Sequence, residues 1–431
     1  MIFINESLSK LYFALALLYF LYRIFTARNS KITFEILKAC AYFVGAEVFF
    51  RTTRGAISYE SGKYLVIGFI LIGMFYKGIS GKGYPYFIYL MFLVPSIFVA
   101  STTLSFDANF RTNIAFVLSG PLCLGLCALF CYDKKVTFSQ MSKILLFMLL
   151  PIITHTAYVY FYAPDLKDIL NSTASNREAA GGFGSNQVAT ALGLGMFLVG
   201  MRLFVNSVTI GTRLLNGLLL VFISYRAVVT LSRGGVVAGV LCIAIFLLYY
   251  FAQAKAKVKN EIMGVFLLFV GALILAWFVS SNQTGGLTEK RYANQNAAGL
   301  QKKDISTGRK DLFLGEIDGF LSNPFFGIGS SRAKDQRIEI EGQGITSHNE
   351  VSRILAEHGM LGVIILLILI LKPLDFRTRH KKNYYFYALL TFWFATINHS
   401  SMRIAAPAFI YALALLNVYY EKPPIHRKQI K

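Results

Sequence analysis

Apolar runs of about 15–20 residues recur along almost the whole chain, each long enough to cross or nearly cross a bilayer's hydrocarbon layer. Backbone in that layer must satisfy its own hydrogen bonds, which leaves helices or a closed barrel. Barrel strands would alternate in shorter units, so helices follow. The runs lie near 8–25, 32–50, 62–77, 84–101, 112–131, 143–162, 187–205, 213–230, 234–251, 262–280, 359–372, 383–398 and 404–420. Runs 62–77 and 359–372 are short, and 32–50 carries Glu35 and Glu47. With 55% hydrophobic residues and a mean hydropathy of +0.54, a soluble globular fold is excluded. The expected fold is all-α, a polytopic integral membrane protein with about 12–13 transmembrane helices and one large extracytoplasmic loop. Residues 1–280 would form a bundle of about ten spans. Residues 281–347 would form the loop, with an amphipathic helix, and 348–431 a motif helix, C-terminal spans and a basic cytoplasmic tail.

The net charge of +21 would suit a nucleic-acid partner, but its distribution excludes that reading. Basic clusters occupy alternate loops: Arg23/Arg28/Lys31, Lys77/Lys82, Lys134/Lys135, Arg202/Arg213, Lys255/Lys257/Lys259, Lys372 to Lys382, and the tail Arg427/Lys428/Lys431. The positive-inside rule makes those loops cytoplasmic. Loops 51–61, 102–111, 163–186, 231–233, 281–347 and 399–403 are then outside. Thirteen spans with an outside N-terminus fit every loop; twelve, with both ends inside, require the first run not to span. Met1–Lys10 lacks a basic leader region, so no cleavable signal is expected. Cys123, Cys127 and Cys131 recur every four residues in one span, as small packing residues would. No Cys/His metal spacing, Walker loop or dinucleotide fingerprint is present, so no cofactor and no metal are expected. No long internal repeat is evident, which disfavours a transporter built from duplicated halves.

Three outside segments carry polar chemistry. Loop 281–347 becomes basic through Lys290, Arg291, Lys302, Lys303, Arg309 and Lys310. Leu312, Phe313, Ile317, Phe320 and Leu321 then follow a helical period, which predicts an amphipathic helix on the membrane surface starting near Arg309. An outside loop this basic calls for an anionic ligand or anionic lipid headgroups. Thr230-Leu-Ser-Arg-Gly-Gly235 is a tight turn in which Gly234 and Gly235 allow reversal and close backbone approach, pinning Arg233 at the boundary. Arg226 lies about two turns earlier, where a charge needs a functional partner or a polar cavity. A guanidinium fork suits bidentate phosphate binding; structural snorkelling is the alternative for both arginines. In Asn176 to Gln187, Arg177 could join a phosphate site, while Asn186 and Gln187 could bond sugar hydroxyls or cap a helix.

The fourth segment is Ser347-His-Asn-Glu350, followed by Val-Ser-Arg-Ile-Leu-Ala-Glu-His-Gly359-Met-Leu-Gly362. Ser347 and Glu350 have capping-box spacing, which predicts a helix starting at Ser347 with His348 in its first turn. The positive dipole end would keep His348 neutral and available as a base. His348, Leu355, Gly359 and Gly362 then share one face, where the glycines would admit a neighbouring helix. Glu350, Arg353 and Glu357 share the opposite face at ion-pairing spacing. An interfacial histidine on an ordinary amphipathic helix is the plainer alternative.

Together these features resemble the bacterial O-antigen ligase/polymerase family. His348-Asn349, nine residues and Gly359-Met-Leu-Gly362 match its His-Asn, nine residues, Gly-x-x-Gly pattern. Ser232-Arg-Gly-Gly235 and Thr307-Gly-Arg309 are similar to two of its arginine motifs, and Asn323-Pro-Phe-Phe-Gly-Ile-Gly329 to its Pro-x-x-Gly-x-Gly segment. The resemblance covers about 177–365; the N-terminal third matches only in hydropathy. Ile365 stands where some ligases have Asn, Thr or Tyr, which leaves ligase and polymerase both open.

The resemblance implies a metal-independent, inverting glycosyltransferase of the bacterial inner membrane, with a periplasm-facing site and an undecaprenyl-diphosphate-linked glycan as donor. The acceptor would be lipid A-core or another glycan, in lipopolysaccharide or exopolysaccharide biosynthesis. His348 would be the base and Asn349 would orient it or the acceptor; Arg233 and Arg309, with Arg226 and Arg177, would hold the diphosphate. A lipid-linked-glycan transporter is the rival of another class, but its charges should line a midplane path. A scaffold would need no converging arginines, and a protein O-glycosyltransferase would differ only in acceptor.

Overall fold

The computed structural model describes residues 7–162 and 169–420, apart from Lys255, Lys303, Ile305, Thr307 and Gln343. Thr307 of the second arginine motif and the tail residues Arg427, Lys428 and Lys431 therefore lie outside the described residues.

The chain is all-α, and each expected span is at least partly helical. The first half comprises α1 (Ser7–Phe25), α2 (Ile32–Thr52), α3 (Ser61–Lys77), α4 (Tyr84–Leu93), α5 (Pro95–Thr103), α6 (Phe110–Cys131) and α7 (Phe138–Tyr162). Next come α8 (Ser185–Val205), α9 (Ile210–Val229), α10 (Arg233–Gln253) and α11 (Ala256–Gln283). The long loop carries α12 (Leu287–Tyr292), α13 (Arg309–Ser322) and α14 (Arg332–Glu341). The chain ends in α15 (Glu350–His358), α16 (Met360–Arg379), α17 (Phe386–Ser400) and α18 (Ala406–Ala414). Among the described residues, eight segments are long and apolar enough to cross a membrane.

Three runs depart from simple spans. Run 84–101 is one membrane-length segment, Gly81–Thr103, interrupted between α4 and α5 because Pro95 has no N–H to continue the ladder, with Val94 between them still helical. Run 404–420 yields only the nine residues of α18, about 14 Å of helix at 1.5 Å per residue, too short to span. All nine are buried, and the chain then forms a short strand, Asn417–Tyr419, parallel to Lys135–Thr137. Run 32–50 is a core helix: Glu35 pairs with Lys38 at 2.8 Å and Arg23 at 3.1 Å, and Glu47 with Arg51 at 2.5 Å.

Every loop expected outside meets at one end of the bundle. Thr103 Oγ1 donates to Ile328 O, Ser105 to Asp335, Thr173 to Gln295 O, and Ser401 to Ser347 O. Arg51, at the start of loop 51–61, donates to Arg403 O. The basic loops meet at the other end: Lys77 bonds Asn29, Lys134 caps the Lys77 and Gly78 carbonyls, and His380 faces Asp133 at 3.2 Å. The charge alternation read from the sequence thus sorts the loops onto two opposite ends.

Candidate functional site

Glycine fixes the frame of the site. A Cβ on Gly193 would lie 2.0 Å from Gly235 O, and one on Gly235 2.2 Å from Ala189 O, so α8 and α10 touch backbone to backbone. That contact pins the first turn of α10, and with it Arg233. The reversal before it is made by Leu231, at φ 54°, rather than by Gly234 and Gly235, which are both helical. Arg233 Nη1 donates to Arg291 O at 3.4 Å, and Arg291 Nε returns to Leu231 O at 2.9 Å.

α15 starts at Glu350, not at Ser347. Its N-cap is Asn349, whose Oδ1 accepts from Val351 N (2.9 Å) and Ser352 N (3.2 Å). The amide carbonyl of Asn349 fits the free N–H groups at once, so Ser347 is released to bond Glu316 (3.2 Å) and the Asn349 backbone. His348 consequently sits just before the helix. Its low basicity has another origin than the dipole: burial, then the charges of Arg403 and Arg309, push it down to about 4. Its Nδ1 is buried without a protein partner among the described residues.

The glycines after it also act differently from the sequence expectation. Gly359, at φ 61°, ends α15, so one continuous face from His348 to Gly362 does not exist. A Cβ there would lie 2.6 Å from Pro324 O and Gly327 N, so the close neighbour is the Pro-x-x-Gly loop rather than a helix. Gly362 instead abuts Ile354 O within the bend, at 2.4 Å from its would-be Cβ.

Glu316, buried on α13, organises the face that carries Ser347 and His348. It accepts from Arg337 (2.7 Å), Ser347 and Ser352 (2.6 Å). α13 is thereby docked by its polar residue, while Phe313, Leu314 and Leu321 are exposed. That arrangement agrees with a helix lying on a membrane surface. From the opposite side Arg403 holds the segment, donating to Thr346 and to Ser347 O at 2.9 Å.

Arg309, Gly308 and His348 line one cleft of about 1340 Å³ including its open mouth, with Asn186, Asp311 and Arg337. Arg309 and His348 also line a smaller space of about 490 Å³ with Asn349 and Asn398. The cations crowd one another. Burial, then Arg233 and Arg309, lowers Arg291; burial, then Arg233, lowers Arg309. Such a cluster is ready for an anion. Among the described residues, no group of three or more His, Cys, Asp or Glu side chains is arranged to hold a metal ion.

Two sequence candidates lie elsewhere. Arg226 is 2% exposed and donates to Val159 O (3.0 Å) and Ala179 O (3.3 Å), between the rings of Tyr160 and Tyr225. Arg177 is exposed and folds its own loop through Gly182 O. Neither lines the His348 cleft; Arg233 does not line it either, but stands beside Arg291 and acts on Arg309, as these two do not. Gln187 is taken up by Arg51 and Tyr59, whereas Asn186 accepts from Ser232 and lines the cleft. Arg403, His399 and Glu316 belong to none of the sequence motifs, and Arg291 only to the basic stretch of loop 281–347. Asn398-His-Ser-Ser-Met-Arg403, a polar stretch between two apolar runs, was the available signal.

Residues 218–367 match the family model described as O-antigen ligase, which takes in Arg233, Arg309, His348, Gly359 and Gly362. No curated protein matches the chain.

Proposed function

From the match of residues 218–367 to the O-antigen ligase family model, we propose that the chain is a membrane glycosyltransferase of the O-antigen ligase/polymerase type and transfers a glycan from undecaprenyl diphosphate to an acceptor hydroxyl in the O-antigen ligase manner. The carrying observation is that His348 and Arg309 share a cleft beside Arg233 and Arg291, all from different segments. His348, fully unprotonated at neutral pH, takes the acceptor proton as the acceptor oxygen attacks the anomeric carbon. The bond from that carbon to the phosphate oxygen breaks with inversion, and undecaprenyl diphosphate leaves with the electron pair. The guanidinium groups stabilise the charge gathering on it, the part a divalent ion plays elsewhere.

A base held near 4 is a weak proton acceptor, and the same geometry supplies the remedy. The diphosphate lies against the charges that depress His348, so donor binding raises its basicity when the proton must move. The first isoprene units of the prenyl tail would enter an apolar cleft of about 730 Å³ between α8, α9, α10 and α11, lined by Met196, Val228, Val236, Val240, Trp277 and Tyr292, the rest lying in lipid. Tyr292 adjoins Arg291, so tail and headgroup sites are contiguous. The site then faces the periplasmic side of a bacterial inner membrane, which places the N-terminus of α13 and its exposed aromatic residues at the outer leaflet.

Purified protein with lipid-linked donor and lipid A-core tests this directly: transfer is expected without added metal, and formation of longer lipid-linked chains instead would make it a polymerase. A deletion strain gives the matching phenotype, unattached long glycan for a ligase and single attached repeats for a polymerase.

A further inference from the structure

His399 lies on the last turn of α17, outside the family-matched segment and next to the site. Its Nδ1 is 3.3 Å from Arg309 Nη1. A guanidinium only donates, so Nδ1 must be the accepting nitrogen and the proton must sit on Nε2. Nε2 is buried and has no protein partner among the described residues, so the Arg309 contact alone sets the tautomer. The ring is also sterically trapped. A Cβ on Gly234 would fall 2.1 Å from His399 Nδ1 and 2.2 Å from its Cγ. Gly234, in the first turn of α10 beside Arg233, is therefore the floor on which His399 rests. His348 lies against the His399 backbone, and Arg403 is the remaining charge nearby.

We propose that His399 is a positioning residue for the donor site: stacked on Gly234, it accepts an Arg309 N–H and aims that guanidinium at the donor diphosphate. The proposal rests on Arg309 binding the diphosphate. It gives the three separated pieces a common purpose: the glycine of the first arginine motif seats the histidine that orients the second. An arginine on a loop helix keeps long-side-chain entropy unless something holds its fork, and a buried neutral acceptor holds it without neutralising its charge.

Binding of farnesyl diphosphate to the purified full chain in nanodiscs tests this, using wild type, Arg309→Ala, His399→Ala, His399→Asn and the Arg309→Ala/His399→Ala pair. His399→Ala should weaken binding about tenfold, the scale of one charge-assisted hydrogen bond. Asn places an oxygen near the Nδ1 position, so His399→Asn should recover most of the loss. The double variant should bind no more weakly than Arg309→Ala alone, because His399 acts through Arg309. If Arg309→Ala weakens binding and His399→Ala does not, the positioning role is wrong and the diphosphate reading stands. Additive losses also overturn it, since His399 would then act independently. If Arg309→Ala leaves binding unchanged, the diphosphate reading itself falls. Should His399→Ala fail to fold, His399→Asn decides: folded protein that has lost binding as severely as Arg309→Ala refutes the role.

Discussion

Two groups of buried charge sit side by side at one end of this bundle and are built on opposite rules. In α15, Arg353 lies between Glu350 and Glu357, with Glu357 Oε2 at 2.6 Å, and Ser331 N adds a bond to Glu357. In α2, Arg51 meets Glu47, Gln187 and Arg403 O, while Lys63 pairs with Glu60. Those clusters pair opposite signs and are rich in internal bonds, the α15 cluster setting two carboxylates against one guanidinium. Among the described residues, Arg233, Arg291, Arg309 and Arg403 have no carboxylate as a hydrogen-bond partner; their bonds go to carbonyls, Thr346 and His399. A buried network in which opposite charges bond one another is scaffold. An unbalanced one, of a single sign, is costly unless a ligand completes it, the condition expected of an anion-binding site. The scaffold also serves the site: Glu47 Oε2 accepts from Ala405 N, and Arg51 holds Arg403 O, so the N-terminal helices brace the segment that grips Ser347.

Substitution should separate the two groups. The largest effect is expected in the paired set: Arg353→Ala leaves two buried carboxylates facing one another and should cost about 3–5 kcal/mol, seen as a large fall in thermal midpoint or loss of folded protein. A normally stable variant would erase the distinction. In the unbalanced set, His348→Ala should fold normally and bind donor, yet transfer glycan about 10²-fold or more slowly. His348→Gln should not restore the rate, as glutamine cannot take the proton; near-normal transfer by that variant would make His348 an acceptor-positioning group.

Smaller effects sharpen the contrast. Arg233→Ala and Arg309→Ala should each weaken donor binding about tenfold or more at unchanged stability, and Lys should rescue only partly for want of a planar fork. Full activity in both Ala variants would remove them from the diphosphate site. The pH profile should shift with ligation. Neutral His348 is the active form, so activity falls as pH drops through its pKa. For kcat/KM that limb belongs to the free enzyme, near about 4; for kcat it should lie higher, because bound diphosphate offsets Arg403 and Arg309. Coincident limbs would mean that donor binding does not alter the base. EDTA should change nothing; activity lost to chelator and regained with Mg²⁺ would point first to Asp311, the carboxylate lining the cleft, and to Asp304 and Asp335 nearby in the loop.

The sequence alone determined the helical character, the sorting of loops to two ends, and two residues that the fold brings into one cleft, Arg309 and His348. Run length and charge alternation are local quantities that the bilayer acts on directly, so they survive folding unchanged. Cap choice was less legible, because Ser347 and Asn349 compete for the same N–H groups and a buried Glu316 two helices away decides between them. Only the tertiary structure set Arg226 and Arg177 apart from the cleft and placed His399 against Arg309, Arg291 beside Arg233, and Arg403 against Ser347. Whether a guanidinium faces a ligand or a carbonyl depends on which backbone lies within reach of it. For Arg226 that backbone is 67 residues away, at Val159, a neighbour set by helix packing rather than by sequence spacing.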